Sequence, residues 1–243
     1  MKNNLALIIN KMKYWLSFLL IFMPNWIKLP VYRKVYGYKI GNGVKIGFSW
    51  IFVHEMEISG DVIIGHLNRF KNIPKVIIGK YSVIGSQNTF TSTWEFTNPL
   101  GITIRNNNPC LLIGDHCGIT NRHYFDIQDQ FIIGSYVTIA GHRSNFFTHF
   151  INVTDCVQST KPITIGNYCM IGSGVNFVPG SIIPNYCIVG MGSVVTKPFF
   201  KEYILVGGNP ARLIKILSPS SNYFNRTYGY ISSFSDPPFK YFD

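Results

Sequence analysis

The sequence has few charged residues, and its N-terminal region has no acidic ones. Charged residues make up 14% of the 243, which is low for a soluble domain. Lysine and arginine outnumber aspartate and glutamate by 22 to 11, and no acidic residue precedes Glu55. This asymmetry predicts an anionic partner for the N-terminal region. We find no nucleic-acid-binding motif, so an anionic membrane surface is the favoured partner and nucleic acid is not.

Cysteine pairs with metal-binding or redox spacing are missing. The odd count of five and the lack of a C-x-x-C pair argue against a disulfide framework or a zinc knuckle. Reduced thiols, together with the lack of a cleavable signal, predict a cytoplasmic protein. Walker loops, dinucleotide fingerprints and serine-hydrolase elbows are missing too, which excludes the enzyme classes that depend on them.

The sequence also lacks an apolar run long enough to span a bilayer. Residues 1–30 are predicted to form an amphipathic or strongly apolar helix, whose longest apolar run, residues 14–23, stops at Pro24. A membrane span needs roughly 20 residues. Lysines before the run, and Trp26 and Lys28 after it, are typical of interfacial anchoring. Two interpretations stay open: peripheral membrane contact through residues 1–30, or a helix packed on the protein or on a neighbouring subunit.

What the sequence does contain is a repeat of six residues, clearest between Ile165 and Thr196. The first position of each unit is apolar, the fifth is small, and an Asn-Tyr-Cys segment recurs after eighteen residues. The first positions are Ile165, Ile171, Phe177, Ile183, Val189 and Val195, and the fifth are Cys169, Val175, Ser181, Cys187 and Ser193. Neither a helix nor an alternating strand has this period. Three short strands with turns between them do, and they predict an all-β solenoid whose rungs stack roughly 4.8 Å apart.

The repeat begins at Ile40 and ends at Thr196, with interruptions that we predict to be loops, two of them carrying most of the candidate chemistry. The interruptions are residues 47–57, 66–77, 86–112 and 141–164. Three regions are predicted: an N-terminal helix and basic connector (1–37), the solenoid (38–200), and a closing segment with a tail (201–243). Leu213 to Leu217 are predicted to begin a short helix that closes the end of the solenoid.

This repeat resembles the hexapeptide repeats of left-handed parallel β-helix acyltransferases, which are usually trimers that use acetyl-CoA. The stretch Ile139-Ala140-Gly141, Ser144, Phe146 and Thr148-His149 is similar to the catalytic stretch of polysaccharide and sugar O-acetyltransferases in that family. The resemblance implies transfer of acetyl from acetyl-CoA to a sugar hydroxyl of a surface polysaccharide or its lipid-linked precursor. His149 would be the general base, a task that suits a side chain titrating near neutrality.

A second candidate pair precedes His149. His123 and Asp126 lie 26 and 23 residues before it, a spacing that allows stacked rungs on one face. A similar His-aromatic-x-Asp stretch occurs in the same acetyltransferases. It implies that His123 binds the acceptor sugar or shares the acid–base work, and that Asp126 orients a histidine. The alternative is that both residues stabilise a corner of the fold.

The C-terminal end of the repeat resembles the coenzyme end of the family. Residues 207–212, Gly-Gly-Asn-Pro-Ala-Arg, match its Gly-Asn-Pro-Ala stretch. The resemblance implies that the pantetheine arm lies in a groove between adjacent prisms. Its predicted contacts are with Gly172, Ser173 and Gly190, and the coenzyme phosphates would meet Lys197 and Arg212. No metal is expected.

Two other functions stay open. One is a metalloenzyme of the β-helix carbonic anhydrase type, with three histidines holding zinc. The pairs His116/His123 and His142/His149 are each seven apart, but the His-x-x-x-x-His spacing of that family is missing. The other is a non-catalytic β-solenoid scaffold at the membrane.

Overall fold

The computed structural model describes residues 2–93, 109–229 and 231. Most of the chain is a solenoid of seven rungs, each made of three short strands. The first three rungs are β1 (Lys39–Ile40), β2 (Lys45–Ile46), β3 (Trp50–Phe52); β4 (Glu55–Ile58), β5 (Ile63–Ile64), β6 (Arg69–Lys71); and β7 (Lys75–Ile78), β8 (Val83–Ile84), β9 (Thr89–Thr91). The fourth and fifth are β10 (Cys110–Ile113), β11 (Gly118–Asn121), β12 (Tyr124–Asp126); and β13 (Phe131–Ile133), β14 (Thr138–His142), β15 (Asn145–Phe147). A hairpin of β16 (His149–Asn152) and β17 (Val157–Thr160) precedes the last two, which are β18 (Ile163–Ile165), β19 (Met170–Ile171), β20 (Asn176–Phe177); and β21 (Ile182–Ile183), β22 (Ile188–Val189), β23 (Val194–Val195).

Equivalent strands of successive rungs pair in parallel and form three sheets. Sheet A has the order β1-β4-β7-β10-β13-β18-β21, and sheet C runs from β3 through β6, β9, β12, β15 and β20 to β23. Sheet B contains β2, β5, β8, β11, β14, β19 and β22, followed by β24 (Ile204–Gly207) and β25 (Arg212–Ile216). The predicted parallel β-helix of hexapeptide repeats is therefore confirmed.

The core is the inside of this prism, and the repeat fills it as predicted. Every first-position residue from Ile165 to Val195 is buried, and so is every fifth-position residue from Cys169 to Ser193. Inside sheet C, five phenylalanines form a continuous stack with ring centroids 4.4–5.0 Å apart: Phe70, Phe90, Phe125, Phe146 and Phe177. Burial also raises the pKa of the Cys117 thiol to about 12, so this cysteine is a packing residue, not a nucleophile.

The two shorter interruptions of the repeat are not loops. Residues 47–57 contain β3 and the start of β4, and residues 66–77 contain β6 and most of β7. The prediction of loops there is wrong, because both rungs keep all three strands: the first has the regular eighteen-residue spacing from Ile40 to Ile58, and only the second takes up two additional residues. Ile58 pairs with Ile78, twenty residues on, whereas Ile165 pairs with Ile183, eighteen residues on.

The two longer interruptions both include the connection from a strand of sheet C to the next strand of sheet A. The first contains β9 and the start of β10, and its residues 94–108 lie outside the described residues. In the second the chain leaves the prism after β15, forms the antiparallel hairpin of β16 and β17, and returns at β18. The hairpin therefore rises from one edge of the prism, next to the end of sheet C.

The N-terminal region forms helix α1 (Lys2–Ile21), helix α2 (Asn25–Val31) and a π-helical turn at Tyr32–Tyr36. The prediction of one helix over residues 1–30 is wrong, because the chain is interrupted at Pro24 and forms two helices. Helix α1 packs on the outside of β3, where Phe18 stacks on Trp50 at 4.5 Å and the Trp50 indole donates to Ser17 Oγ at 2.7 Å. None of the described helices combines the length and apolarity needed to cross a bilayer.

The C-terminal region contradicts the predicted helix at Leu213 to Leu217. These residues belong largely to β25, which pairs antiparallel with β24 along the last edge of sheet B. The sheet edge offers unpaired backbone groups, and a returning strand satisfies them where a helix would not.

The part of the tail that the structure describes turns back along the solenoid, with a short 3-10 helix at Asn222–Asn225. It covers an outer stack of aromatic corner residues that runs through Tyr81, His116, Tyr136, Tyr168, Tyr186 and Tyr203. Phe224 packs edge-on against this stack, and the Arg226 guanidinium donates to the Tyr136 carbonyl. Residues 230 and 232–243 of the predicted tail lie outside the described part of the chain.

Candidate active site

Asp126 and His149 meet at the edge of sheet C from which the hairpin rises. Asp126 ends β12 and is the register partner of Phe147, which ends β15 in the next rung. His149 follows two residues later, at the first position of β16. Its Nδ1 lies 2.7 Å from Asp126 Oδ2. The prediction that the two stretches occupy stacked rungs on one face is therefore confirmed by the geometry.

The Asp126 carboxylate is buried and held by several donors. Only 3% of the residue is exposed. Its Oδ2 accepts the Thr148 backbone N–H at 3.2 Å, and its Oδ1 accepts from Gln128 Nε2 at 3.3 Å. A carboxylate held in this way has little freedom to rotate, so it fixes the orientation of the imidazole that it contacts.

This contact defines the protonation state of the His149 ring. An ionised carboxylate can only accept hydrogen bonds, so Nδ1 of His149 carries the proton. In the neutral ring Nε2 then has the free lone pair, which is the atom a general base needs. The His149 side chain is 39% exposed, so a substrate can reach it.

The hairpin is anchored at its base, where His149 lies. His149 is the register partner of Thr160, whose hydroxyl donates to Asp129 Oδ2 at 2.9 Å. Thr148 is fully buried; its carbonyl accepts the Lys161 backbone N–H at 2.9 Å, and its hydroxyl donates to the Asp126 carbonyl at 2.9 Å. Contacts on both sides of the hairpin therefore hold His149 against Asp126.

His123 does not reach this pair, because it belongs to a buried polar column. The column contains one side chain per rung, and each accepts a backbone N–H from the next rung: Ser49, Asn68, Asn88, His123 and Ser144. His123 is 1% exposed. Its Nδ1 accepts from Ser144 N–H at 3.2 Å, as Asn88 Oδ1 accepts from His123 N–H at 2.9 Å. This geometry favours the fold-stabilising alternative for His123 over contact with the sugar.

The His123 ring is kept neutral. Because Nδ1 accepts a hydrogen bond, Nε2 carries the proton and donates to Thr120 Oγ1 at 3.0 Å. Burial, reinforced by the nearby His142, lowers the pKa of His123 to about 4. His123 and His149 therefore hold their protons on opposite nitrogens, and only His149 has an unengaged lone pair at an accessible position.

The remaining histidines of the metal hypothesis are apart from each other. His116 stacks between Tyr81 and Tyr136 at the corner between sheets A and B. His142 lies at the corner between sheets B and C, where its backbone N–H donates to Ser173 Oγ at 3.1 Å. Within residues 2–93, 109–229 and 231, no group of three histidine, cysteine, aspartate or glutamate side chains is placed to hold a metal.

The outer face of sheet C supplies further side chains next to the pair. Tyr124 and Phe147 point outward from adjacent rungs, with ring centroids 5.7 Å apart. Asn145 lies beside them, and its amide donates to Asn176 Oδ1 at 2.9 Å. Sequence reasoning gave no role to Tyr124 or Phe147, and it placed Thr148 in the catalytic stretch without its anchoring contacts. The alternation of side chains along each strand gives the signal for the first two, since both neighbour the buried phenylalanine of their strand.

The predicted coenzyme residues fall into two groups. Gly172, Ser173 and Gly190 lie at the corner between sheets B and C, across the width of sheet C from His149. A side chain at Gly172 would place its Cβ 2.6 Å from the Met191 backbone nitrogen, so the tight corner by itself requires glycine there. Lys197 follows β23 at the same edge of sheet C as His149, two rungs further along.

Arg212 is the first residue of β25, where it pairs with Gly207 at the end of the solenoid. Lys197 and Arg212 are both exposed. Both residues therefore lie at the C-terminal end of the solenoid. Of the predicted coenzyme contacts, Lys197 is the one that lies at the same edge of sheet C as His149.

Comparison with known proteins finds similarity to acetyltransferases. No family model matches the chain. A chloramphenicol acetyltransferase of Klebsiella aerogenes is 32% identical over 112 residues, covering 37% of this chain and 53% of the relative. A putative acetyltransferase of Saccharomyces cerevisiae is 32% identical over 71 residues, covering 28% of this chain and 36% of the relative. At best the match spans about half the length of these curated relatives.

Among solved structures, a maltose O-acetyltransferase from Clostridium difficile 630 matches with a TM-score of 0.40 and 17% identity, over 88% of this chain and 89% of that one. A hexapeptide-repeat-containing acetyltransferase from Vibrio cholerae, in complex with acetyl coenzyme A, matches with a TM-score of 0.43 and 16% identity, over 86% and 87%. These structural likenesses are weak. The predicted resemblance is confirmed: this chain is a hexapeptide-repeat protein with sequence similarity to acetyltransferases.

Proposed function

We propose that this protein is an O-acetyltransferase that moves the acetyl group of acetyl-CoA to a sugar hydroxyl, with His149 as general base. The observation that carries the proposal is the 2.7 Å contact between His149 Nδ1 and the buried Asp126 carboxylate. This contact leaves Nε2 as an accessible proton acceptor at the edge of a sheet that also bears aromatic side chains. The sequence similarity to acetyltransferases supports the reaction type.

In the proposed reaction His149 Nε2 removes the hydroxyl proton as the acceptor oxygen bonds to the acyl carbon. Asp126 stabilises the imidazolium that results and keeps the ring in the reactive tautomer. The thioester supplies an acyl carbon bonded to a good leaving group. When the carbon–sulfur bond breaks, His149 returns its proton to the departing thiolate, which restores the neutral ring.

The proposed acceptor lies on the outer face of sheet C. Tyr124 and Phe147 offer aromatic surfaces for the apolar faces of a sugar ring, and the Asn145 amide offers hydrogen bonds to hydroxyls. The acceptor in this proposal is an internal sugar of a surface polysaccharide or of its lipid-linked precursor. We place this reaction in the cytoplasm, at the inner face of the membrane where such acceptors are assembled.

The proposed donor site follows the predicted coenzyme residues. Lys197 and Arg212 are exposed cations at the end of the solenoid, free to pair with the coenzyme phosphates. Gly172, Ser173 and Gly190 line the opposite edge of sheet C from His149. A homotrimer removes this separation, because it sets the glycine-lined edge of one protomer beside the His149 edge of its neighbour. The proposal therefore includes a trimer with sites between protomers.

The test is acetyl transfer by the purified protein, wild type and His149→Ala side by side. Acetyl-CoA is incubated with oligosaccharides of bacterial surface polysaccharides and, because of the curated relatives, with chloramphenicol. Free thiol release and the mass of the product are measured. We expect acetylated sugar from the wild type and at least about a hundredfold less from His149→Ala. The control His66→Ala, at an exposed corner of the second rung, should keep full activity.

Each other outcome has a definite meaning. Acetylation of chloramphenicol without acetylation of any sugar would contradict the acceptor class while keeping the reaction. Full activity in His149→Ala would contradict the base assignment. A protein that neither binds acetyl-CoA nor transfers acetyl to any hydroxyl would be better described as a scaffold.

A further inference from the structure

Helix α1 has an exposed apolar stripe along the side that faces away from the solenoid. The spacing of four, three and four residues places its first four members on one face of α1, and the last two lie just beyond the helix end, in the turn and on α2. Each of these side chains is between 54% and 77% exposed: Ile8, Met12, Trp15, Leu19, Phe22 and Trp26. A contiguous apolar surface of this size is typical of an interaction site in a folded protein.

The opposite side of α1 fixes the direction in which the stripe faces. Ser17 and Leu20 are buried, and Tyr14 makes edge-to-face contacts with Trp50 and Phe52 of β3. The Tyr36 hydroxyl donates to the Lys13 carbonyl at 2.6 Å. Because one side of the helix is already anchored, the stripe is held outward as a rigid ridge, not as a segment waiting to fold back onto its own protomer.

A buried lysine secures the turn between the two helices. Lys28 is 1% exposed, and its ammonium donates to the carbonyls of Gly47 at 2.7 Å and Ile21 at 3.3 Å. These bonds tie α2 and the end of α1 to the first rung. Phe22 and Trp26, on either side of the turn, are thereby held on the same exposed end of the molecule as the rest of the stripe.

The charge around the stripe has one sign. Eight lysines and arginines precede Glu55, the first acidic residue; Lys28 is buried, whereas Lys11 on α1 and Lys34 just after α2 are exposed. The stripe itself contains no charged residue. Apolar side chains with two tryptophans, bordered by cations, are the pattern of helices that lie in the interface of an anionic bilayer.

We infer that the α1 stripe docks this protein onto an anionic lipid surface, with α1 lying in the headgroup region. A second copy of the chain fits the stripe less well. A two-fold contact would set two basic segments against each other, and like charges that face each other destabilise an interface. The whole chain is basic as well, with 22 cationic and 11 acidic residues, so its other faces offer little compensation. The inference does not depend on the proposed reaction.

The stripe also has a consequence for substrate access if the protein is the proposed acetyltransferase. Helix α1 packs on β3, the first strand of sheet C, and the candidate pair lies at β12 and β15 of the same sheet. Adjacent strands are spaced about 4.8 Å apart, so three pairings separate β3 from β12 by about 14 Å. Because α1 packs on the outer side of this sheet, a docked protein would present the outer face of sheet C towards the lipid surface, with the candidate pair about 14 Å along the sheet from the strand under α1 and within reach of a lipid-linked glycan.

The experiment is co-sedimentation of the full chain with large unilamellar vesicles. Vesicles of phosphatidylcholine alone are compared with vesicles containing about a third phosphatidylglycerol, at roughly 0.1 M and 1 M salt. The stripe variant is Trp15→Ser with Leu19→Ser. The matched control is Met191→Ser with Phe200→Ser, which removes two exposed apolar side chains far from α1. Circular dichroism and thermal unfolding establish that both variants fold.

We expect the wild type and the control to bind the anionic vesicles and the stripe variant to bind at least about tenfold more weakly. Binding should weaken on neutral vesicles and at high salt. Equal binding by the stripe variant and the wild type would overturn the inference. Equal binding of the wild type to neutral and anionic vesicles, or at low and high salt, would also overturn it. Loss of self-association in the stripe variant by sedimentation velocity, without vesicle binding by the wild type, would instead assign the stripe to a second copy and overturn the lipid assignment.

Discussion

Replacing the Asp126 carboxylate by an amide tests the proposed chemistry most directly. In Asp126→Asn the side chain keeps its shape, and its oxygen can still accept the Thr148 N–H. The negative charge beside His149 is lost, however. The asparagine amide can also donate to Nδ1, which would move the ring proton to Nε2 and block the atom that acts as base.

The structure sets the size of the effect. With Nδ1 and Oδ2 2.7 Å apart, the centres of the two charged groups are about 4 Å apart. At an effective dielectric constant of about 20, suited to a pair near the protein surface, their attraction is about 4 kcal/mol. Since 1.36 kcal/mol corresponds to a factor of ten in rate, loss of the pair should lower kcat by up to about 10³-fold.

The assay is steady-state acetyl transfer by thiol release, with kcat and KM determined separately for both substrates. The effect should appear in kcat, because the charge stabilises an imidazolium that forms only during the reaction. The control is Asp155→Asn, which removes the same charge from the exposed turn of the hairpin, where Asp155 contacts Asn152. A wild-type kcat in Asp126→Asn, or an equal loss in Asp155→Asn, would refute the reasoning.

Four further predictions concern the buried polar column, the phenylalanine stack and a tight corner. His123→Asn should keep kcat within about tenfold of wild type and fold normally, because asparagine fills the same column position in the rungs before it; a hundredfold loss would reassign His123 to the chemistry. The pKa of His123 is about 4 in the folded chain, against about 6.5 in the unfolded chain. Its contribution to the free energy of unfolding, on the order of 3 kcal/mol, is therefore present above pH 6.5 and lost as the pH falls towards 4. The free energies of unfolding of wild type and His123→Asn, measured by urea titration, should differ in how they change with pH over that window, and an equal change with pH would contradict this. Phe125→Ala should lower the free energy of unfolding by about 3–5 kcal/mol and Phe200→Ala by less than about 0.5 kcal/mol, because Phe125 stacks between two buried rings and Phe200 is exposed; similar losses in chemical denaturation would contradict it. Gly172→Ala should lower the melting temperature even without coenzyme, because its Cβ would meet the Met191 backbone, and an unchanged temperature would leave coenzyme contact as the explanation for glycine there.

The Asn-Tyr-Cys recurrence shows how much one period can specify. Asn185 Oδ1 accepts the Asn167 N–H at 2.8 Å, Tyr168 and Tyr186 stack at the outer corner, and Cys169 and Cys187 are both buried. Each position of the segment thus repeats a contact one rung further on. Wherever the repeat is regular, the sequence alone specifies which side chains point inward, which point outward and which meet across rungs.

The N-terminal helix shows where two interpretations are compatible. One face packs against β3 through Phe18, and the other exposes Trp15 and Leu19. Hydropathy marks both faces as apolar, because it does not record which apolar side chains find a partner. The sequence therefore offered packing and membrane contact as alternatives, whereas the structure has room for both on opposite faces of one helix.

The sequence by itself determined the solenoid, because a period of six with small and apolar residues at fixed positions has few other solutions. It also brought Asp126 and His149 to stacked rungs, since their separation is one rung plus a short insertion. Only the tertiary structure separated the two histidines: His123 sits inside a column of asparagines and serines, and His149 stands at an open edge with its lone pair available. It likewise turned Leu213 to Leu217 from a predicted helix into a strand, because an unpaired sheet edge nearby could be satisfied only by an extended chain. Local pattern fixes what repeats along this chain, and contacts between distant segments decide what happens where the repeat stops.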